Sequence, residues 1–180
     1  MSYGLSCAGY DVRLARDETL VTGFTTIGVT LEHMAFPPDL LGLVKDKSTW
    51  VRRGVQVQNT VIEPGWRGHL AIELTYQPVL TETLLDSLLR HRRIMKDPAS
   101  TNEEKLEEVI RHTGVLSEVE DMLVIEAGTP IAQILVHQLK EPAQNPYGSP
   151  GAGSKYQGQG IDDIGPKLEG ARSGEVPGEG

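Results

Sequence analysis

Between positions 10 and 76 the chain is a succession of short apolar–polar alternations, each cut off by glycine or proline. DVRLA, TLVTGFTTIGVTLEHM, LLGLV, GVQVQNTVI and GHLAIELTY follow one another, with Pro37, Pro38, Gly54, Pro64 and Gly65 between them. A period of two with many β-branched residues suits a half-buried strand, since successive side chains in a strand point to opposite faces. The texture returns near the C-terminus as MLVIEA, then Gly128-Thr129-Pro130, then IAQILVHQL. Many short strands at close spacing predict an all-β sandwich or barrel.

Residues 78–122 break that pattern. Leu84, Leu85, Leu88 and Leu89 recur at helical spacing, with Ile94 and Met95 after them. Thr101-Asn102-Glu103-Glu104 reads as a capping box, Leu106, Val109 and Ile110 as an apolar face, and Gly114 as a stop. Pro98-Ala99-Ser100 supplies the turn, so the segment predicts a helical hairpin inserted between two neighbouring strands. The expected division is a β domain over 1–160, interrupted by the 78–122 hairpin, and a Gly/Pro/acidic tail over 161–180. Residues 165–180 lack an apolar pattern and are expected to be mobile.

Charge and composition exclude several function classes. The net charge of −8 is carried by the hairpin (−4) and the tail (−3), which leaves the β segments near neutral. Without a basic stripe, no nucleic-acid surface is expected. The apolar runs are too short to span a bilayer, and the first residues show no secretory signal, so a cytoplasmic protein is expected. Cys7 is the single cysteine, which excludes a disulfide framework and the Cys-x-x-Cys half of a zinc nucleobase-deaminase site. The five histidines, at 33, 69, 91, 112 and 137, lack ligand spacing and read as ordinary surface or strand residues. No phosphate loop of the Walker type and no dinucleotide glycine fingerprint is present.

Two segments can carry chemistry. Lys47-Ser48-Thr49-Trp50-Val51-Arg52 combines two cations and two hydroxyls, a set able to hold phosphate oxygens, although taken alone an exposed helix start is the better explanation of it. In Ile62 to Leu74, Glu63-Pro64-Gly65-Trp66 is a tight turn, with proline fixing φ and glycine free to take positive φ. Beyond it, Glu73 shares a strand face with Ala71 and His69. From alternation alone it is either a solvent-facing carboxylate or one placed in a cleft for proton transfer.

The order of the motifs is more informative than any one of them. Tyr10-Asp11-Val12-Arg13-Leu14, then Lys47-Ser48-Thr49 with Arg52 and Gly54, then Ile62-Glu63-Pro64-Gly65-Trp66 with Gly68-His69-Leu70 and Ile72-Glu73-Leu74, then Ile131-Ala132-Gln133, then Lys155-Tyr156 with Gly158-Gln159 closely resemble the dCTP deaminase family. That family belongs to the trimeric dUTPase-like superfamily, and the resemblance covers residues 2–77 and 123–160. It implies a mainly β fold, a distorted jelly roll or β-barrel of the dUTPase-like type, with the helical hairpin inserted. By the same resemblance Glu73 is the general acid–base that activates water against the amine-bearing carbon of cytosine. Ser48 holds that water, and Arg52 supports the carboxylate and the developing charge. Thr60 lends a carbonyl near the water, and Glu63 and Ala71 contact substrate. Lys47, Thr49 and Gln133 are implied phosphate ligands, with Tyr147, Lys155 and Gln159 as a C-terminal clamp.

The implied substrate is dCTP and the implied product dUTP. Mg²⁺ would arrive through the triphosphate, with no zinc, and the active sites of an implied homotrimer would lie between subunits. There are departures. The chain starts almost on its first family strand, the 78–122 hairpin has no family counterpart, and Arg53 and Val61 replace less charged or less bulky residues. The basic cluster Arg90, His91, Arg92, Arg93 and Lys96 is read as a solvated face, with an unknown acidic partner as the other reading. Two rival functions stand beside simple deamination. If Glu63 activates a second water, one pocket would carry dCTP to dUMP and pyrophosphate; a non-catalytic nucleotide sensor or partner-binding protein is the other rival.

Overall fold

A computed structural model describes residues 4–117, 119, 121–152 and 154–164; the expected mobile segment 165–180 lies outside the described residues. In chain order the elements are β1 (Gly4–Leu5), β2 (Tyr10–Arg13), β3 (Glu18–Val21), β4 (Thr25–Ala35), β5 (Leu40–Asp46), α1 (Ser48–Val51), β6 (Val55–Val57), β7 (Val61–Ile62), β8 (Arg67–Tyr76), α2 (Glu82–Lys96), α3 (Asn102–Ser117), β9 (Met122–Ile125) and β10 (Pro130–Gln138). The predicted strands form, and they pair antiparallel in three sheets: β1-β2-β10-β5-β7, β4-β8-β6 and β3-β9. The body is mainly β, in the layout of a distorted jelly roll.

Alternation explains the core. On β8, Ile72, Leu74 and Tyr76 are buried, whereas Ala71 and Glu73 face the other way. The buried row packs into one cluster with Val12, Val44, Val55, Ile131 and Ile134, drawn from both larger sheets. Each such side chain contributes about 1.5–3 kcal/mol by leaving water. Two glycines fix the turns that bring the strands together. Gly65 sits at φ +87 in the Glu63–Trp66 turn, closed by the Trp66 N–H donating to the Glu63 carbonyl at 3.1 Å. Gly54, at φ +86, passes so close to Gln77 that a Cβ would lie 2.0 Å from its carbonyl oxygen.

The helical hairpin forms as predicted, and its capping box is made. The Glu104 N–H donates to the Thr101 hydroxyl at 3.2 Å, and the Thr101 N–H donates to the Glu104 carboxylate at 2.8 Å. Three details differ from expectation. The flanking strands are not partners, since β8 lies in the β4-β8-β6 sheet and β9 pairs with β3. The insertion is instead closed through Thr22, which bridges Tyr76 and donates its N–H to the Asp121 carbonyl. Gly114 does not end α3, which runs on to Ser117. A glycine at helical φ costs only about 1 kcal/mol against alanine, which is too little to stop a helix by itself. Finally, the seam between α2 and α3 is polar. Ser87, Glu108 and His112 are its buried residues, and His112 is therefore not the surface histidine expected.

Candidate active site

Glu73 sits near the middle of β8, between β4 and β6. Its carbonyl accepts from the Gln58 N–H at 2.9 Å, and its Cα pairs with Ile27. Its side chain enters a cleft of about 360 Å³. Thr60, Glu63, Ala71, Tyr147 and Gln159 line the same cleft, so six of the twelve expected site residues meet there. Ile27, Ile62, Trp66 and Leu70 give it an apolar wall suited to a flat heterocycle.

Two polar atoms in this cleft have no partner in the structure. Glu73 Oε2 and Gln159 Nε2 are buried without a hydrogen bond. A buried polar group left unbonded costs about 1–3 kcal/mol, and such groups are kept where a ligand satisfies them. One is an acceptor and the other a donor, a pairing that suits a ligand carrying both an amine and anionic oxygens.

The chain after β10 places Gln159. Tyr147 donates its N–H to the Pro64 carbonyl at 2.7 Å, and its hydroxyl accepts from the Tyr156 N–H at 2.7 Å. The Trp66 indole donates to the Tyr156 carbonyl at 3.0 Å. Gln157 reaches back to the turn, accepting from the Arg67 N–H and donating to the Gly65 carbonyl, both at 2.9 Å. The His69 N–H then donates to the Gln159 carbonyl at 2.9 Å, which seats the segment along the start of β8. The Thr60 carbonyl already accepts the Val44 N–H at 3.0 Å, leaving its second lone pair for a further donor.

The remaining expected residues lie elsewhere. Ser48, Thr49 and Arg52 are exposed on or beside α1 and do not line the cleft. The short helix is anchored by Trp50, buried, whose indole donates to the Pro130 carbonyl at 2.8 Å. Lys47 is engaged in an ion pair with Asp11, itself only 2% exposed. Gln133 donates to the other Asp11 oxygen at 3.0 Å and to the Ser6 hydroxyl at 2.8 Å. Lys155 is exposed, with its ammonium 5.6 Å from the Tyr156 ring. Sequence reasoning missed Asp11 as the organiser of Lys47 and Gln133, although it stands in the Tyr-Asp-Val-Arg motif. It also missed the apolar wall, because strand residues facing a cleft alternate in the same way as strand residues facing a core.

The chain is similar to known proteins in sequence and in fold. The sequence pattern described as dCTP deaminase-like matches residues 8–81. Over that stretch the chain is a member of the dCTP deaminase-like family. Proteins named "dCTP deaminase, dUMP-forming" from Nocardia farcinica (30% identical) and Mycobacterium leprae (31%) align over 139 residues, 76% of this chain. They are matched over 49% and 52% of their own lengths, so the chain spans about half of the curated relatives it matches. Among solved structures, the native EIAV dUTPase aligns at a TM-score of 0.47 and 16% identity, covering 79% of this chain and 84% of that one. The dUTPase of the S. aureus phage phi11 aligns at 0.49 and 15%, covering 79% and 83%.

No group of three or more His, Cys, Asp or Glu able to hold a metal ion occurs among the described residues. No described helix is long and apolar enough to cross a membrane.

Proposed function

We propose that this chain converts dCTP and two waters to dUMP, ammonia and pyrophosphate in a single pocket. The observation that carries the reading is the pair of carboxylates, Glu73 and Glu63, lining one cleft of about 360 Å³. The relatives named as dUMP-forming support it over release of dUTP.

The cytosine ring packs against the apolar wall, and its amine-bearing carbon faces Glu73. The Glu73 carboxylate takes a proton from the attacking water and returns it to the departing ammonia, help that is typically worth ~10²–10⁴ in rate. Glu63, exposed at the mouth of the cleft, then activates the second water toward the α-phosphate. Gln159 donates its unpaired N–H to the nucleotide, and Mg²⁺ carried by the triphosphate neutralises phosphate oxygens.

Ser48, Thr49 and Arg52 belong to this scheme through a neighbouring copy. They stand exposed on α1, away from their own cleft, and a second chain can present them to it. This agrees with the subunit-shared sites that the homotrimer resemblance implies. Arg52 then stabilises developing charge, and Ser48 orients the water. The Asp11 carboxylate holds Lys47 at the start of α1 for a phosphate contact.

The test is incubation with dCTP and Mg²⁺, followed by chromatographic separation of the nucleotides. The wild type is expected to yield dUMP and pyrophosphate without free dUTP, Glu63→Gln to accumulate dUTP, and Glu73→Gln to yield neither. Accumulation of dUTP by the wild type would reduce the reading to simple deamination. Retained dCTP binding with no turnover would leave a nucleotide sensor.

A further inference from the structure

Glu63 stands at the mouth of the cleft, and among the described residues no hydrogen bond or ion pair holds its carboxylate. Its direction is therefore set by the backbone of the Glu63–Trp66 turn, and that backbone is tied down at several points. The Gly65 N–H donates to the Phe36 carbonyl at 3.0 Å, and the Phe36 N–H donates to the Trp66 carbonyl at 2.8 Å, which fastens the turn to the end of β4. The Tyr147 N–H covers the Pro64 carbonyl at 2.7 Å. The Gly65 carbonyl and the Arg67 N–H meet a side chain instead. Gln157 Nε2 donates to the first and Gln157 Oε1 accepts from the second, both at 2.9 Å.

This amide does the work of a strand. In parallel pairing, one residue bonds the carbonyl before and the N–H after the residue it faces. Gly65 and Arg67 stand in that relation to Trp66, so the Gln157 side chain fills the place of a backbone unit. A primary amide suits the task because it offers a donor and an acceptor on one planar group, as a peptide does. The pairing extends the parallel bridge between Gly68 and Gln159. Room is kept for it by Gly148, at φ +84, where a Cβ would lie 2.6 Å from Gln157 Nε2.

The groups used in deamination are held without this side chain. Glu73 lies on β8, where its carbonyl accepts from the Gln58 N–H at 2.9 Å. Gln159 is seated by the His69 N–H, and its neighbour Gly158 donates to the Arg67 carbonyl at 2.9 Å. The Gln157 amide bears on the turn with Glu63 and not on Glu73. We propose that Gln157 is a positioning residue for the second step alone, aiming Glu63 through the Gly65 and Arg67 backbone at the water that attacks the α-phosphorus. In that step the water oxygen bonds to phosphorus and its proton passes to Glu63. The bond from phosphorus to the bridging oxygen breaks, and pyrophosphate leaves with the electron pair. This role rests on the dUMP-forming function proposed for the cleft.

Ammonia and pyrophosphate, measured together at saturating dCTP with Mg²⁺, test it. The wild type is expected to release the two in equal amounts. Gln157→Met keeps the length of the side chain and loses both bonds. It is expected to release ammonia near the wild-type rate and pyrophosphate roughly 10–100-fold more slowly, with dUTP accumulating, since misplacing a reacting group by about 1 Å can cost ~10²-fold. Gly148→Ala displaces the amide without altering Gln157 and should shift the products the same way. Equal release of both products by Gln157→Met, at whatever rate, overturns the proposal. Should Gln157→Met fail to fold, Gly148→Ala decides by the same ratio. A wild type that releases ammonia and dUTP without pyrophosphate overturns the dUMP-forming function itself, and this role with it.

Discussion

Glu73 and Gln159 reach the same cleft from different stretches of chain, one from mid-β8 and the other from the segment after β10, each with one buried polar atom unbonded. A site poised in this way is destabilising until a ligand arrives. Gln159→Leu removes the orphaned amide and keeps the backbone bond from His69, so thermal unfolding should show equal or higher stability. The same variant should raise KM for dCTP roughly 10–100-fold, because a hydrogen bond to a charged group is worth about 1.5–3 kcal/mol. A fall in both stability and affinity would instead mark Gln159 as a packing residue. Gly65→Ala acts from beneath: its Cβ would lie 2.8 Å from Pro146 and 2.9 Å from the Tyr147 carbonyl. Combined with the strain of φ +87, this should cost about 1–3 kcal/mol and raise KM by displacing Tyr147. Glu73 and the Pro-Gly-Trp turn were legible in sequence because strand alternation and turn chemistry are local. Which of its two readings Glu73 follows was not, since the cleft is formed by chain from β7 and from beyond β10.

At the scale of elements, the hairpin rests on an ion cluster in which Arg90 and Arg111, both partly exposed, close over the buried Glu108. Arg111 holds the Glu108 carboxyl below its ordinary pKa, chiefly through its hydrogen bond; burial opposes that shift and Arg90 adds to it. A depressed carboxylate pKa gives stability that is fully present above the ordinary glutamate range and is lost as pH falls through the lowered value. Helical signal followed in urea at successive pH values should therefore show wild-type stability declining in acid. Glu108→Gln should be weaker at neutral pH and nearly flat across the same range; an unchanged acid decline would assign it to other groups. Both helices were legible from capping and period, as Thr101 and Glu104 illustrate. Their inner faces were not, because leucine spacing cannot say which of two apolar-flanked faces a neighbouring helix covers. The seam went to Ser87, Glu108 and His112.

At the scale of the molecule, the proposed site has two halves, the cleft with Glu73 and the α1 surface with Arg52, and Arg52 does not line the cleft of its own chain. Shared sites have a consequence that separate sites do not. Arg52→Ala spoils α1 but leaves the cleft intact, and Glu73→Gln spoils the cleft but leaves α1 intact. Each variant alone should be nearly inactive. Unfolded together, mixed in equal amounts and refolded, they form some sites that join an intact cleft to an intact α1. Random assembly puts an intact pair at roughly one quarter of the sites, so about a quarter of wild-type turnover should return. If both halves belonged to one chain, every site would carry a defect and the mixture would stay as inactive as its parts.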